Sequence, residues 1–133
     1  MVKKNNILIW IIALVPFPLL YIISAYVLND IYLFEWTSRH WYCGLWLIVI
    51  IACFFRSRFA IVLSYANVAA IILGQVFGDM LRSYNISRIS ADMTADYKAY
   101  LHTHYGVQIW LGLVLLTIIV CATISIIRGK KTT

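Results

Sequence analysis

The side chains that could bind a metal ion or perform acid–base chemistry are concentrated in one polar stretch, between residues 79 and 104. Asp92, Asp96, His102 and His104 are suitable metal ligands. The two histidines are separated by one residue, which suits a single metal ion on a strand or loop but not on a helix. No H-E-x-x-H motif, nucleophile motif or glycine-rich phosphate loop accompanies them. We expect a solvated loop of mixed charge, with an outer-face metal or catalytic site as an alternative.

Two side-chain amides lie within an apolar stretch. Asn67 and Gln75 are eight residues apart, close to two helical turns, so both lie near one face of a helix. Buried amides can line a substrate path or bridge neighbouring helices by hydrogen bonds. Both uses remain open from the sequence.

Pro16 and Pro18 lie in the middle of the first apolar run. Each proline removes a backbone donor, so a kink or break is predicted there. Broken helices in transporters expose carbonyl groups that can bind ions. Together with the Asn67 and Gln75 face, this feature supports the hypothesis of a compact oligomeric transporter or channel.

Small side chains recur every four residues along one stretch, at Ala66, Ala70, Gly74 and Gly78. A second set with the same spacing consists of Thr117, Cys121 and Ser125. Small residues let helices in lipid approach closely, so both sets predict helix packing. The partner could be another span of this chain or a second protein. The second set could instead bond to carbonyl groups of its own helix.

Composition and hydropathy predict the elements that carry these residues. Of the 133 residues, 63% are apolar and 12% are charged, and the mean hydropathy is +0.87. Soluble domains are about a quarter charged. The apolar residues form four long runs, and three of them are comparable to the roughly 20 residues that a helical span needs. The second run, about Trp41 to Phe55, is short unless the stretch from Trp36 belongs to its helix. We expect an all-α, polytopic membrane protein: a single four-transmembrane-helix bundle over residues 1–133. The predicted spans are about 7–28, 36–55, 59–78 and 105–127, and the outer connections are about 29–40 and 79–104.

The basic residues predict the orientation of these spans. Seven of the eleven lie on one side of a four-span arrangement: Lys3, Lys4, Arg56, Arg58, Arg128, Lys130 and Lys131. All five acidic residues lie in the other two connections. The positive-inside rule therefore places both termini in the cytoplasm (N-in/C-in). We expect a multi-pass protein of the plasma membrane, and the composition is compatible with a bacterial cytoplasmic membrane.

Charge also bounds the function. The apolar runs contain no carboxylate, histidine or basic group, which disfavours proton-coupled transport. The net charge of +6 is explained by topology and anionic lipid, so no nucleic-acid partner is expected. No cofactor is predicted. The expected partners are the bilayer and either further copies of the chain or a larger membrane complex. The main hypothesis is a non-enzymatic accessory or oligomerising subunit rather than an enzyme.

Overall fold

The computed structural model describes the backbone of residues 4–130 and the side chains of residues 7–56 and 58–127. Every regular element in that range is helical, which confirms the all-α class. The helices are α1 (Lys4–Leu14), α2 (Pro16–Tyr26), α3 (Tyr32–Arg39), α4 (Leu45–Phe55), α5 (Ser57–Ser87), α6 (Ala95–Leu101) and α7 (Gly106–Lys130), with a 3-10 turn at Trp41–Gly44. Two of the basic residues that predict the orientation, Lys3 and Lys131, lie outside the described residues. The side chains of Lys4, Arg128 and Lys130 also lie outside the described part.

The prolines interrupt the first apolar run only at Val15, between α1 and α2. Val15 keeps helical dihedral angles, its N–H donates to the Ile11 carbonyl at 2.9 Å, and its own carbonyl accepts from Leu19 at 3.2 Å. Pro16 is tolerated because it begins α2, where a missing N–H costs little. Residues Ile7–Tyr26 thus form one apolar stretch of 20 residues that is long enough to cross a membrane.

The second apolar run is bent rather than straight. Helix α3 and the segment Trp41–Phe55 meet at an angle of 58°. The chain turns through Trp41, Tyr42 and Cys43, whose φ angles are 52°, 52° and 50°, and then through Gly44 at 73°. Left-handed conformation costs a non-glycine residue about 1–2 kcal/mol. Since α4 has only 11 residues, or about 17 Å, it is too short to cross a bilayer alone.

Helix α5 is longer than the predicted third span. It has 31 residues and continues through Ser87, whereas the sequence suggested a connection starting at residue 79. The extension contains no proline and no glycine after Gly78, so nothing in its backbone chemistry ends the helix earlier. At about 46 Å, α5 exceeds the thickness of a bilayer core.

Helix α5 is also the central packing element, and α7 runs antiparallel along it. Trp10, in the second half of α1, packs edge-to-face on Phe54, near the end of α4, with ring centroids 4.7 Å apart. The residues of α1 before Trp10 therefore lie towards the end of α4. Arg58 at the start of α5 shares a groove with Ser125 near the end of α7. These contacts put the start of α1, the α4–α5 turn and the end of α7 at one end of the protein, here called the basic end. The opposite end, which contains Asp79 and His104, is called the distal end.

Three stretches are long and apolar enough to cross a membrane: Ile7–Tyr26, Arg58–Ser87 and Gly106–Ile127. A fourth is added if the bent pair Tyr32–Arg39 and Trp41–Phe55 counts as one span. The structure therefore contains three to four candidate spans.

Candidate functional site

Glycines bring the backbones of α5 and α7 into contact near the distal end. A Cβ atom on Gly74 would lie 2.8 Å from the Gly106 carbonyl oxygen, and one on Gly78 would lie 2.9 Å from the Gly106 nitrogen. Real Cβ atoms essentially never approach this closely, so the crossing requires glycine. Ala70 is also buried and Ala66 is half-buried. The small-residue stripe thus lies largely inside the chain.

Gln75 links α5 to the start of α3. Its Oε1 accepts a hydrogen bond from the Leu33 N–H at 2.8 Å, and its Nε2 donates to Asp79 Oδ2 at 2.7 Å. The Leu33 N–H belongs to the first turn of α3, where backbone donors have no partner within the helix. Gln75 therefore satisfies one of these donors and holds Asp79 beside it.

His104 completes this distal junction. Its Nε2 lies 3.2 Å from Asp79 Oδ1, and its Nδ1 accepts from the Gly106 N–H at 3.1 Å. Nδ1 accepts a hydrogen bond, so the proton of the neutral ring is on Nε2. This Nε2–H donates a hydrogen bond to the Asp79 carboxylate. His104 is 7% exposed, and the centroid of its ring lies 4.4 Å from that of the Tyr32 ring. His104 thus connects α3, α5 and the first turn of α7.

Asn67 bridges α5 and α7 further from the distal end. Trp110 Nε1 donates to Asn67 Oδ1 at 2.9 Å, and both residues are at most 1% exposed. Among the described residues, Asn67 Nδ2 and the nearby Ser64 Oγ have no hydrogen-bond partner. Asn67 and Gln75 therefore both join helices, Asn67 towards α7 and Gln75 towards α3.

The candidate metal ligands do not come together. Asp92, Asp96 and His102 are exposed, whereas His104 is buried in the distal junction. Within the described part of the chain, no group of three or more His, Cys, Asp or Glu residues could hold a metal ion. The Ser90 hydroxyl donates to the Asp92 carboxylate, and this hydrogen bond lowers the pKa of Asp92 below its usual value.

A groove between α5 and α7 opens at the basic end, with a volume of about 860 Å³; we call it the α5/α7 groove. Its walls are mostly apolar, its rim includes two arginines, and the second small-residue set lies along it. The lining residues are Phe55, Arg56, Arg58, Phe59, Val62, Leu116, Thr117, Val120, Cys121, Ile124 and Ser125. Thr117 Oγ1 donates to the Leu113 carbonyl of its own helix at 2.9 Å. This set therefore lies apart from the Gly74–Gly78 crossing.

An apolar groove of about 640 Å³ lies between the first apolar run and the segment Trp41–Phe55; we call it the aromatic groove. Its lining residues share large apolar or aromatic side chains: Trp10, Ile11, Leu14, Val15, Phe17, Pro18, Tyr21, Trp41, Tyr42, Trp46 and Ile50. Pro18 is exposed in this groove, whereas Pro16 is buried.

A smaller polar cleft of about 340 Å³ adjoins the aromatic groove. It is lined by Tyr21, Ser24, Ala25, Asn29, Glu35, Ser38, Arg39 and Trp41. Arg39 Nη2 and Glu35 Oε1 form an ion pair at 2.7 Å, on consecutive turns of α3. Tyr21 and Trp41 belong to both cavities and stack with ring centroids 6.0 Å apart.

Sequence reasoning identified Asn67 and Gln75 but not their partners. Trp110 lies 43 positions from Asn67, and the Asp79–His104 contact joins residues 25 positions apart. No local pattern encodes such long-range pairs. A usable signal was the position of His104, two residues before a strongly apolar helix that begins at Gly106. A polar side chain in that position can satisfy free backbone donors of the first helical turn.

No protein-family model matches this chain, and the searches of curated proteins and of solved structures likewise gave no significant match.

Proposed function

We propose that this protein is a four-span membrane protein, with both termini in the cytoplasm, that acts as a non-enzymatic accessory or oligomerising subunit of a membrane complex. The observation that carries the proposal is the exposure of α7. Only 11% of the most apolar 18-residue stretch of α7 is buried within the chain, compared with 39% of the corresponding stretch of α5. Helix α7 packs along α5 and touches α3 at the distal end, so most of its circumference is open.

The α5/α7 groove gives this open helix a specific face for a partner. Thr117, Cys121 and Ser125 are one helical turn apart and partly buried along the groove. Small side chains allow a second helix to approach closely, which is how helices associate in lipid without a hydrophobic gain. The Gly74–Gly78 stripe is occupied within the chain, so the groove is the better candidate for a contact with another subunit.

Charge supports the orientation. Arg56 and Arg58 are exposed at the basic end, where the start of α1 and the end of α7 also lie. Lys and Arg near short connections favour the cytoplasmic side. The bent α3–α4 segment then supplies the second crossing.

Photo-crosslinking in native membranes tests the proposed contact. A photoreactive residue at position 121, in the α5/α7 groove, should give an adduct with a second protein or a second copy. The matched control is position 112 on the same helix. A Cβ atom added to Gly112 would have no atom of the described residues within 4 Å. Equal adduct formation at both positions, or none at 121, would contradict the proposed contact.

A compact oligomeric transporter or channel is the second candidate. One observation favours it: Ser64 Oγ and Asn67 Nδ2 are fully buried and, within the described residues, unpartnered on one face of α5. Water could satisfy these atoms if a hydrated path reached them. Solute flux into liposomes that requires Asn67 and Gln75, and is lost in the Asn67→Leu/Gln75→Leu variant, would support this candidate over the first.

A further inference from the structure

We propose that the aromatic groove and the polar cleft together bind one zwitterionic phospholipid. An acyl chain lies in the aromatic groove, and the headgroup lies in the cleft beside Glu35 and Arg39. This proposal requires that the apolar helices lie in a bilayer, but it does not depend on any partner of α7.

The aromatic groove has the chemistry of an acyl-chain site. Its described lining residues include no charged side chain. Phe17 and Tyr42 pack edge-to-face with centroids 5.5 Å apart, which gives the groove a rigid wall. Aromatic rings of this kind offer large apolar contact areas with few rotatable bonds. A lipid tail therefore gains more contact here than against the smooth surface of a single helix.

The polar cleft has the charges that a zwitterionic headgroup requires. Arg39 uses only part of its guanidinium in the 2.7 Å contact with Glu35, and its side chain is 74% exposed. Its remaining donors suit a phosphate group, because guanidinium binds oxyanions through paired hydrogen bonds. Glu35 is 39% exposed and can bind an ammonium group next to the phosphate. An anionic headgroup would bring no cation to Glu35.

The two cavities meet at Tyr21 and Trp41, which line both. Trp41 reaches this position through the left-handed turn that begins with its own φ of 52°. Backbone strain of this kind is retained where it places a side chain that the site needs. The stacked pair thus lies where the tail and the headgroup of one amphiphile would join.

The buried hydroxyls of Ser24 and Tyr42 neighbour each other where the two cavities meet. Each can satisfy the other, so neither hydroxyl requires a ligand. The headgroup site therefore rests on the charges of Glu35 and Arg39 and on the rings of Tyr21 and Trp41 that line both cavities.

Native mass spectrometry of the detergent-purified full chain tests the proposal. The protein is incubated with phosphatidylethanolamine, phosphatidylcholine or phosphatidylglycerol that carry identical acyl chains. We expect one zwitterionic lipid to be retained at least several-fold more than phosphatidylglycerol. Arg39→Gln and Glu35→Gln should each weaken retention by roughly tenfold, the effect of losing one charge-assisted hydrogen bond. The control Arg82→Gln removes an exposed arginine outside the cleft and should leave retention unchanged.

Further arms separate the sources of binding. Free phosphoethanolamine should compete poorly because it has no tail for the aromatic groove, and Tyr21→Leu should weaken the binding of every zwitterionic lipid. Equal retention of phosphatidylglycerol, full competition by phosphoethanolamine, or unchanged binding by both cleft variants would overturn the proposal. A co-purifying polypeptide that blocks lipid retention would overturn it as well.

Discussion

Trp110 Nε1 donates a hydrogen bond to Asn67 Oδ1 at 2.9 Å, and both side chains are enclosed between α5 and α7. The two residues are 43 positions apart. A buried indole N–H or amide oxygen without a partner would destabilise the fold. The hydrogen bond between them satisfies both groups. This pair therefore sets the register of α7 against the centre of the fold.

Replacement of Trp110 by Phe should destabilise the protein by about 1–3 kcal/mol, because it leaves the buried amide of Asn67 without its bond and removes packing volume. Reversible unfolding in detergent measures this change. The double variant Asn67→Leu/Trp110→Phe should cost less than the sum of the two single variants, as expected for residues in contact. Strict additivity would show that the hydrogen bond contributes nothing.

Gly78→Ala should destabilise the protein by about 1–3 kcal/mol, the usual cost of forcing an extra methyl into a packed interior. The new Cβ would meet the ring of His104 and the Gly106 nitrogen. Gly112→Ala is the matched control on α7, where the described residues leave open space around a Cβ. There we expect no loss, or a gain of up to about 1 kcal/mol from helix propensity. Similar thermal stability of the two variants would contradict the close α5–α7 crossing.

Ser90→Ala should raise the pKa of Asp92 towards its ordinary value, because the Ser90 hydrogen bond is the main cause of the lowered pKa. The ionised Asp92 carboxylate adds to the free energy of unfolding at pH values above its unfolded pKa of about 3.9. This contribution is lost as the pH falls through the lower pKa of the folded state. Carboxyl NMR titration measures the shift. Ser87→Ala, whose hydroxyl bonds to the Tyr84 carbonyl instead, is the control and should leave Asp92 unchanged.

Cysteine labelling in intact cells tests the orientation. In a background without native cysteines, Ser87→Cys at the distal end should react with an impermeant maleimide added from outside. Arg56→Cys at the basic end should react only after the membrane is permeabilised. The reverse pattern would place the basic end outside, and labelling of both sites from outside would exclude the proposed four crossings.

The first and last apolar stretches could be predicted from the sequence because each is a long uninterrupted apolar run. The expected first and fourth spans, 7–28 and 105–127, match Ile7–Tyr26 and Gly106–Ile127 closely. The bend after α3 could not be predicted, since Trp41, Tyr42 and Cys43 have no intrinsic preference for left-handed conformation. It is held by tertiary contacts such as the stacking of Trp41 on Tyr21.

The candidate sites were predictable only in part. Asn67 and Gln75 stand out as amides in an apolar helix, but Trp110 and the Leu33 N–H become their partners only when distant helices pack together. The polar cleft was missed because Glu35 and Arg39 look like an ordinary surface pair on a short helix. Ser24 lines the same cleft as these two residues only because the chain folds back on itself.

The central claim, that another subunit binds α7 along the α5/α7 groove, is tested most directly by counting subunits in lipid. Single-molecule photobleaching of the labelled chain, in liposomes that also contain any co-purified partner, should show complexes of more than one polypeptide. Ser125→Phe, which fills the α5/α7 groove, should reduce them to single chains, while Ile119→Phe on the exposed side of α7 should not. A wild-type chain that remains single at every protein-to-lipid ratio, with no partner bound, would contradict the account.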